Sequence, residues 1–299
     1  MNGIIVIDKP KDFTSFDVIA KLRGILKQRK LGHGGTLDPM ATGVLPVFAG
    51  SATKAVDLIP CVQKRYTASV KLGIKTDTGD VTGQVIEHSE NVCDREQLLA
   101  AMELFTGGIK QVPPMYSAIQ IGGQRLYKLA RQGKTVDRPA RAVTIFKMNL
   151  LDFSGEQKTF VIDVRCSGGT YIRTLVEDIA REAGCLATLS SLQRTESAGF
   201  SIGDCVSIED VEQAAKDGSL DKIIIPTERI FDCCDRIGLD EIQTRKFLNG
   251  VVFDVGKKDT QNVTFSVYSD KTFLGLAAIE NGRLKKIKQF YFSDSGEAE

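Results

Sequence analysis

The chain opens on four consecutive apolar residues, Ile4-Ile5-Val6-Ile7, which end at Lys9-Pro10, so residues 3–8 read as a short buried strand. Thr14 or Ser15 can cap a helix after it, because apolar Val18, Ile19, Leu22, Ile25 and Leu26 recur at helical spacing. A glycine-rich loop at 32–43 leads into an apolar strand at 44–49. Tyr66, Ala68, Val70 and Leu72 alternate with polar positions, as in a half-buried strand. T-D-T-G-D-V-T-G at 76–83 is turn chemistry, and 84–87 returns as the second arm of a hairpin.

Asp94 and Gln97 have the spacing of a capping box, opening a helix that stops before Gly107-Gly108. Alternation resumes at Phe160, Ile162, Val164 and Cys166. Thr170 then caps a helix whose apolar face is Ile172, Leu175, Val176, Ile179 and Ala183, with Gly184 as its stop. Beyond about residue 235 strands dominate, at 263–268, 274–279 and 286–292. Hairpin-joined strands mixed with helices, without regular βαβ alternation, predict an α+β fold: a largely antiparallel mixed sheet flanked by helices, then a small all-β module. The expected division is 1–232 and 236–299, and no solenoid-type repeat is visible.

At 299 residues, 42% hydrophobic and 26% charged, the chain has the make-up of a folded globular protein with one large or two unequal domains. No apolar run approaches the roughly 18 residues of a membrane span and no secretory signal is seen, so the expected location is the cytoplasm. Seven cysteines (Cys61, Cys93, Cys166, Cys185, Cys205, Cys233 and Cys234) are scattered and never spaced C-x-x-C. That pattern speaks against a disulfide framework or a zinc site and for buried reduced thiols. With only His33 and His88, chemistry falls to carboxylates, tyrosines and cations.

A net charge of +1 is no nucleic-acid signature, yet basic residues cluster. Lys9, Lys11, Lys21, Arg23, Lys27, Arg29 and Lys30 fall within 9–30, and Arg125, Lys128, Arg131, Lys134, Arg138 and Arg141 within 125–141. Taken alone, each run reads first as a solvated helix face, although local basic surfaces on a near-neutral protein can bind phosphates.

The most informative segment is G-H-G-G-T-L-D-P-M-A-T-G-V-L-P at 32–46. Its glycines permit unusual backbone angles and close approach of a ligand, while Pro39 holds Asp38 extended or in a turn. A carboxylate displayed there can act as nucleophile or base, although on local chemistry alone an Asp-Pro turn is the commoner outcome. G-x-G-x-x-G fails at Leu37, and Gly50-Ser51-Ala52-Thr53-Lys54 lacks the P-loop spacing.

This segment closely resembles the catalytic loop of the TruB family, the tRNA pseudouridine-55 synthases. D-K-P at 8–10, K-R-Y at 64–66, T-D-T-G-D at 76–80, V-P-P-M-Y-S-A at 112–118 and G-G-T-Y-I-R-T-L at 168–175 match in the expected order. Six ordered motifs are far more specific than one, and the resemblance covers nearly the whole chain. Residues 236–299 resemble a PUA RNA-binding domain less closely. The resemblance implies the pseudouridine synthase fold and a cofactor-free, metal-free isomerisation of one uridine in the T-loop of transfer RNA, at position 55, with the base flipped out. The basic insertion at about 111–141 resembles the RNA-clasping element of stand-alone bacterial enzymes. It implies a monomer that recognises the tRNA T-arm and elbow by shape, without guide RNA. Two other readings stay open: a protein that binds and folds tRNA without modifying it, and a guide-dependent synthase of ribosomal RNA.

Residue by residue, the resemblance makes Asp38 the catalytic carboxylate, Arg173 its partner, and Tyr66 the ring that stacks on the target uracil and assists removal of the C5 proton. Tyr171 and Leu192 complete the pocket, His33 lies near the extruded nucleotide, and Lys9 is expected on the substrate-binding side. Asp80 supports Arg173 as a second carboxylate, or is simply a turn aspartate. Arg125, Lys128 and Arg131, three residues apart, are expected to contact the RNA backbone.

Overall fold

The structure is a computed structural model that describes residues 1–61, 63–256 and 263–291. Strand β1 (Gly3–Lys9) leads through helix α1 (Ser15–Leu26) to β2 (Leu31–His33) and β3 (Thr42–Ala49). Next come β4 (Lys64–Leu72), a hairpin of β5 (Ile74–Thr76) and β6 (Val85–His88), and α2 (Arg95–Leu104). The insertion follows β7 (Gly107–Gln111) and carries a minimal hairpin, β8 (Gln120–Ile121) and β9 (Gln124–Arg125), and the short α3 (Leu126–Arg131). The long hairpin β10 (Arg141–Ser154) and β11 (Thr159–Cys166), α4 (Ile172–Glu182), β12 (Ala187–Ser197), β13 (Phe200–Ser201) and α5 (Ile208–Lys216) complete the larger part.

Nine strands share one sheet along the path β1-β3-β12-β4-β11-β10-β7, with β2 attached to β3 and β13 to β12. The β3–β12 junction is parallel, and the other pairings in this sheet are antiparallel. The apolar run of β1 has a simple cause. Ile5 and Ile7 face the main core together with Val18, Ile19 and Leu22 of α1, while Ile4 and Val6 face a second core with Phe48. A strand buried on both faces loses the alternation that marks β4, where Tyr66, Ala68, Val70 and Leu72 are buried and the intervening residues are not.

Thr14 caps α1 in a reciprocal box with Asp17, and Asp94 caps α2 with Gln97, both from local sequence. Helix α4 departs from the predicted start. Thr170 donates instead to the Ser167 carbonyl (3.0 Å), and Tyr171, whose side chain makes no cap, is the first flanking residue. The Gln111 side-chain amide, arriving from β7, donates to the Tyr171 carbonyl (3.0 Å) and accepts from its N–H (2.8 Å). A long-range side chain therefore fixes the start of this helix. The cysteines also depart from expectation: all seven are free, but only Cys93, Cys166 and Cys185 are buried, and Cys233 is exposed.

The C-terminal part contains β14 (Arg236–Leu239), α6 (Glu241–Leu248), β15 (Phe253–Asp254), β16 (Phe265–Ser269), β17 (Thr272–Glu280) and β18 (Arg283–Gln289). Its five strands form a separate sheet in the order β14-β16-β17-β18-β15, with α6 as an addition to the expected strands; position 292 lies outside the described residues. The two parts share apolar surface. Phe231 lies 6.0 Å from Phe273 and 5.7 Å from Phe290, ring centre to ring centre, in one buried cluster with Ile4, Val6, Val44 and Phe48. Among the described residues, no helix is long and apolar enough to cross a membrane.

Candidate active site

Asp38 stands in the loop between β2 and β3, and that loop is anchored at nearly every residue. The Arg194 guanidinium donates to the carbonyls of Gly35 (3.1 Å), Thr36 (3.4 Å) and Val44 (2.8 Å). The Ser15 hydroxyl, at the start of α1, accepts from the Leu37 N–H at 2.9 Å. Pro39 offers its carbonyl to the Asp12 N–H (2.8 Å) and to the Lys9 ammonium (3.3 Å). Gly43, at the end of the loop, has φ +98° and pairs with Arg194 across the parallel junction. A Cβ there would lie 2.2 Å from the Arg194 carbonyl oxygen, so only glycine lets the two strands meet.

The anchored loop presents Asp38 to Arg173, whose Nη2 lies 2.9 Å from Asp38 Oδ2. Arg173 sits in the first turn of α4 with its side chain only 5% exposed, whereas Asp38 keeps 36% exposed to the cleft. The guanidinium is otherwise committed: it donates to the carbonyls of Thr78 (2.7 Å) and Tyr116 (2.8 Å) and lies 3.8 Å from Asp80 Oδ2. Asp80 is buried and accepts from the Thr82 N–H (3.0 Å) and the Thr78 hydroxyl (3.0 Å). The T-D-T-G-D turn, the insertion and the Asp38 loop thus converge on one arginine. A buried charge is tolerable only when paired and hydrogen-bonded in this way.

Asp38, Tyr66, Tyr171, Arg173 and Leu192 line one cleft of about 320 Å³, walled on one side by Ser117, Ala118 and Ile119 of the insertion. Tyr66 stands opposite Arg194 in the β4–β12 ladder, and Leu192 opposite Ala68. Burial raises the pKa of the Tyr66 phenol, partly offset by the neighbouring Arg194. Burial likewise raises the Tyr171 phenol. The cleft therefore combines one exposed carboxylate oxygen with two neutral aromatic rings and an aliphatic wall.

Two residues expected on the substrate side stand elsewhere. Lys9 is fully buried, with its ammonium donating to the carbonyls of Pro10 (2.8 Å), Phe13 (2.6 Å) and Pro39. Burial lowers its pKa to about 8 against the attraction of Asp12, and it fastens the Asp38 loop from beneath and does not line the cleft. His33, on β2 opposite Val47, does not line the cleft; burial lowers its pKa, with Arg194 adding to the effect. Arg125, Lys128 and Arg131 are exposed on one side of the insertion while Leu126 and Leu129 point inward, and Arg131 packs over the Tyr127 ring at 5.6 Å.

Sequence reasoning missed Arg194, Ser15 and Gln111. Arg194 carried a readable signal, since it follows Leu192 by two residues and thus occupies an inward strand position where an apolar side chain is the rule. Ser15 and Gln111 carried none, because their partners are distant in sequence.

A solved structure described as "Structure of H/ACA RNP bound to a substrate RNA containing 2'-deoxyuridine" superposes with a TM-score of 0.76 at 22% identity, covering 98% of this chain and 86% of that one. This likeness shows that the two share a fold, the mixed sheet with its flanking helices. A family model described as "TruB family pseudouridylate synthase (N terminal domain)" matches residues 23–172, and "tRNA pseudouridylate synthase B C-terminal domain" matches residues 173–232. A Bacillus thuringiensis (strain Al Hakam) protein called tRNA pseudouridine synthase B is 38% identical, over 96% of this chain and 97% of that one. Its namesake from Lactococcus lactis subsp. cremoris is 40% identical over 88% and 80%. The chain belongs to the TruB family of pseudouridylate synthases and is an isomerase of that family.

Proposed function

We propose that this protein converts one uridine in the T-loop of transfer RNA, position 55, to pseudouridine, with Asp38 as its catalytic carboxylate. The observation that carries the reading is the Asp38–Arg173 pair at 2.9 Å, with its open side toward a cleft walled by Tyr66, Tyr171 and Leu192. A base stacked inside a folded tRNA elbow cannot reach this cleft, so the uridine is flipped out and its lost stacking replaced by the Tyr66 ring and the Leu192 side chain.

The reaction breaks the C1′–N1 bond, turns the uracil and forms a C1′–C5 bond. C5 loses a proton and N1 gains one, so the product is an isomer. Asp38 acts on the ribose, either by adding to a carbon or by taking a ribose proton; both routes need a carboxylate oxygen within reach of the sugar. Arg173 holds that oxygen in place, Asp80 holds Arg173, and the Tyr66 phenol is offered to the departing C5 proton. The scheme uses no metal and no redox group. Arg125, Lys128 and Arg131 hold the tRNA backbone, His33 contacts RNA outside the cleft, and the C-terminal sheet acts as a PUA-like module that adds affinity. The protein works as a monomer in the cytoplasm without guide RNA.

The test is purified protein with an unmodified tRNA transcript and no guide RNA. Pseudouridine at the T-loop position, absent with Asp38→Asn, supports the reading. Tight binding without conversion points instead to a tRNA-folding protein, and conversion only on addition of guide RNA to a guide-dependent synthase.

A further inference from the structure

Lys64 is the first residue of β4, two positions before Tyr66, so period-two geometry places both side chains on one face of the sheet. Both line the Asp38 cleft. Lys64 also lines an adjoining cavity of about 230 Å³, bounded by Gly34, Gly35, Asp57, Gly168 and Ser197, and it is the residue common to the two. The cavities continue past one another along the catalytic loop, from Gly34-Gly35 to Thr36-Leu37-Asp38, and along the loop before α4, from Gly168 to Gly169-Thr170.

The ammonium at this junction is half-buried and, among the described residues, has neither a hydrogen-bond acceptor nor a carboxylate partner. Asp38 in one cavity and Asp57 in the other both stay beyond ion-pair distance of it. Arg194 repels it, and the Cys166 sulfur nearby favours its charged form. Arg65, on the opposite face, differs completely: it is paired with Asp163 at 2.8 Å and Glu196 at 3.0 Å. Arg173 and Arg194 spend their donors on the carboxylates and carbonyls described above. Gly35, at φ +110°, keeps the space beside the ammonium open, since a Cβ there would lie 3.2 Å from Nζ. A desolvated cation with no internal partner is costly in the free protein and becomes favourable once an anion meets it.

We propose that Lys64 binds a phosphodiester of the RNA strand, the one joining the nucleotide in the Asp38 cleft to a neighbour seated in the adjoining cavity. The assignment rests on the reading that the cleft receives a ribonucleotide. It makes Lys64 a substrate-positioning residue that sets where the strand crosses from one cavity to the other.

Burial lowers the Lys64 pKa to about 8, with Arg194 adding to the effect. A bound phosphate raises it again, so RNA affinity should fall as pH rises through about 8. The ionisable groups around Lys64 are Tyr66 on its own strand and, from neighbouring elements, Cys166, Arg194, Asp38, Tyr171, Arg173, Asp57 and Cys61. Lys9 also titrates near pH 8 beneath the loop, and a variant fixed in charge at position 64 separates the two.

The experiment measures binding of an unmodified tRNA transcript to wild type, Lys64→Met and Lys64→Arg across salt and pH. Lys64→Met should weaken binding about tenfold and flatten the slope of log affinity against log salt by roughly 0.7–0.9, the share of one phosphate. Its melting temperature should equal or exceed that of wild type, because an unpaired charge has left a half-buried site. Lys64→Arg should retain most of the affinity and lose the decline above pH 8. In parallel, wild-type protein is titrated with T-arm RNAs carrying one neutral methylphosphonate on either side of the target uridine. One of the two should bind about tenfold more weakly, and Lys64→Met should not distinguish it from the unmodified strand. Unchanged affinity and salt slope in Lys64→Met, or indifference of wild type to both neutral linkages, overturns the assignment. Absence of pseudouridine with wild type overturns the proposed reaction alone, since the binding results still judge Lys64.

Discussion

Arg173 and the Arg125–Arg131 segment are both positively charged features at the rim of the Asp38 cleft and its insertion, and they are built in opposite ways. Arg173 is 5% exposed and both terminal nitrogens of its guanidinium are engaged, by Asp38, Asp80 and the carbonyls of Thr78 and Tyr116. Arg125, Lys128 and Arg131 are exposed, on the outer side of a six-residue helix and the strand before it. Charges of the second kind act through solvent and salt and attract any polyanion; in the proposed function they set affinity. The buried network has no such freedom. It fixes one carboxylate oxygen in one place, the preorganisation that the proposed reaction requires. The two features meet at Tyr116, whose carbonyl accepts from Arg173 and which belongs to the same insertion as the basic helix.

The sharpest way to break this contrast is Asp38→Asn. The amide keeps the shape of the pocket and an oxygen for Arg173, so tRNA binding should stay near wild type while turnover falls by more than about 10³-fold. Residual conversion near the wild-type rate, measured by single-turnover assay, would remove Asp38 from the chemistry.

Arg173→Ala should come next, because it strips a partner from two carboxylates, one of them buried. Removing one member of a buried pair costs about 3–5 kcal/mol. Chemical denaturation should therefore show a large loss of stability together with loss of turnover. Arg173→Lys should recover stability only partly, since an ammonium cannot serve both carboxylates and both carbonyls in one plane. If Arg173→Ala is as stable as wild type, the convergence described above has no energetic weight.

Tyr66 divides binding from chemistry within the cleft. Tyr66→Phe should preserve stacking and slow the chemical step, whereas Tyr66→Ala should also weaken tRNA binding, by about 1–3 kcal/mol for one lost base stack. Equal binding loss in both variants, with lower melting temperatures, would make Tyr66 a packing residue.

The smallest effect belongs to the exposed side of the comparison. Replacing Arg125, Lys128 and Arg131 together with Gln should raise the tRNA concentration for half-maximal rate several-fold, leave the saturating rate unchanged, and reduce the salt slope by roughly 0.7–0.9 per lost contact. An unchanged salt slope in the triple variant would mark the segment as a solvated face.

Much of this was legible in the amino-acid order because it depends on neighbours in the chain. The capping boxes at Thr14 and Asp94, the alternation from Tyr66 to Leu72, the glycine-rich loop around Asp38 and the strands after residue 235 all follow from periods and local hydrogen bonding. The ordered motifs also placed Asp38, Tyr66, Tyr171, Arg173 and Leu192 among the candidates, and the fold brings them to one cleft. What only the tertiary structure decided are the partners that lie far away along the chain. Lys9 became a clamp for Pro39 because β1 ends beneath the Asp38 loop, and Arg194 became the loop's anchor because β12 runs parallel to β3 at Gly43. Gln111 starts α4 because β7 lies against it, and the C-terminal sheet shares a core with β1 through Phe231. A polar side chain's local sequence states how many hydrogen bonds it must make; only the folded chain determines which atoms satisfy them.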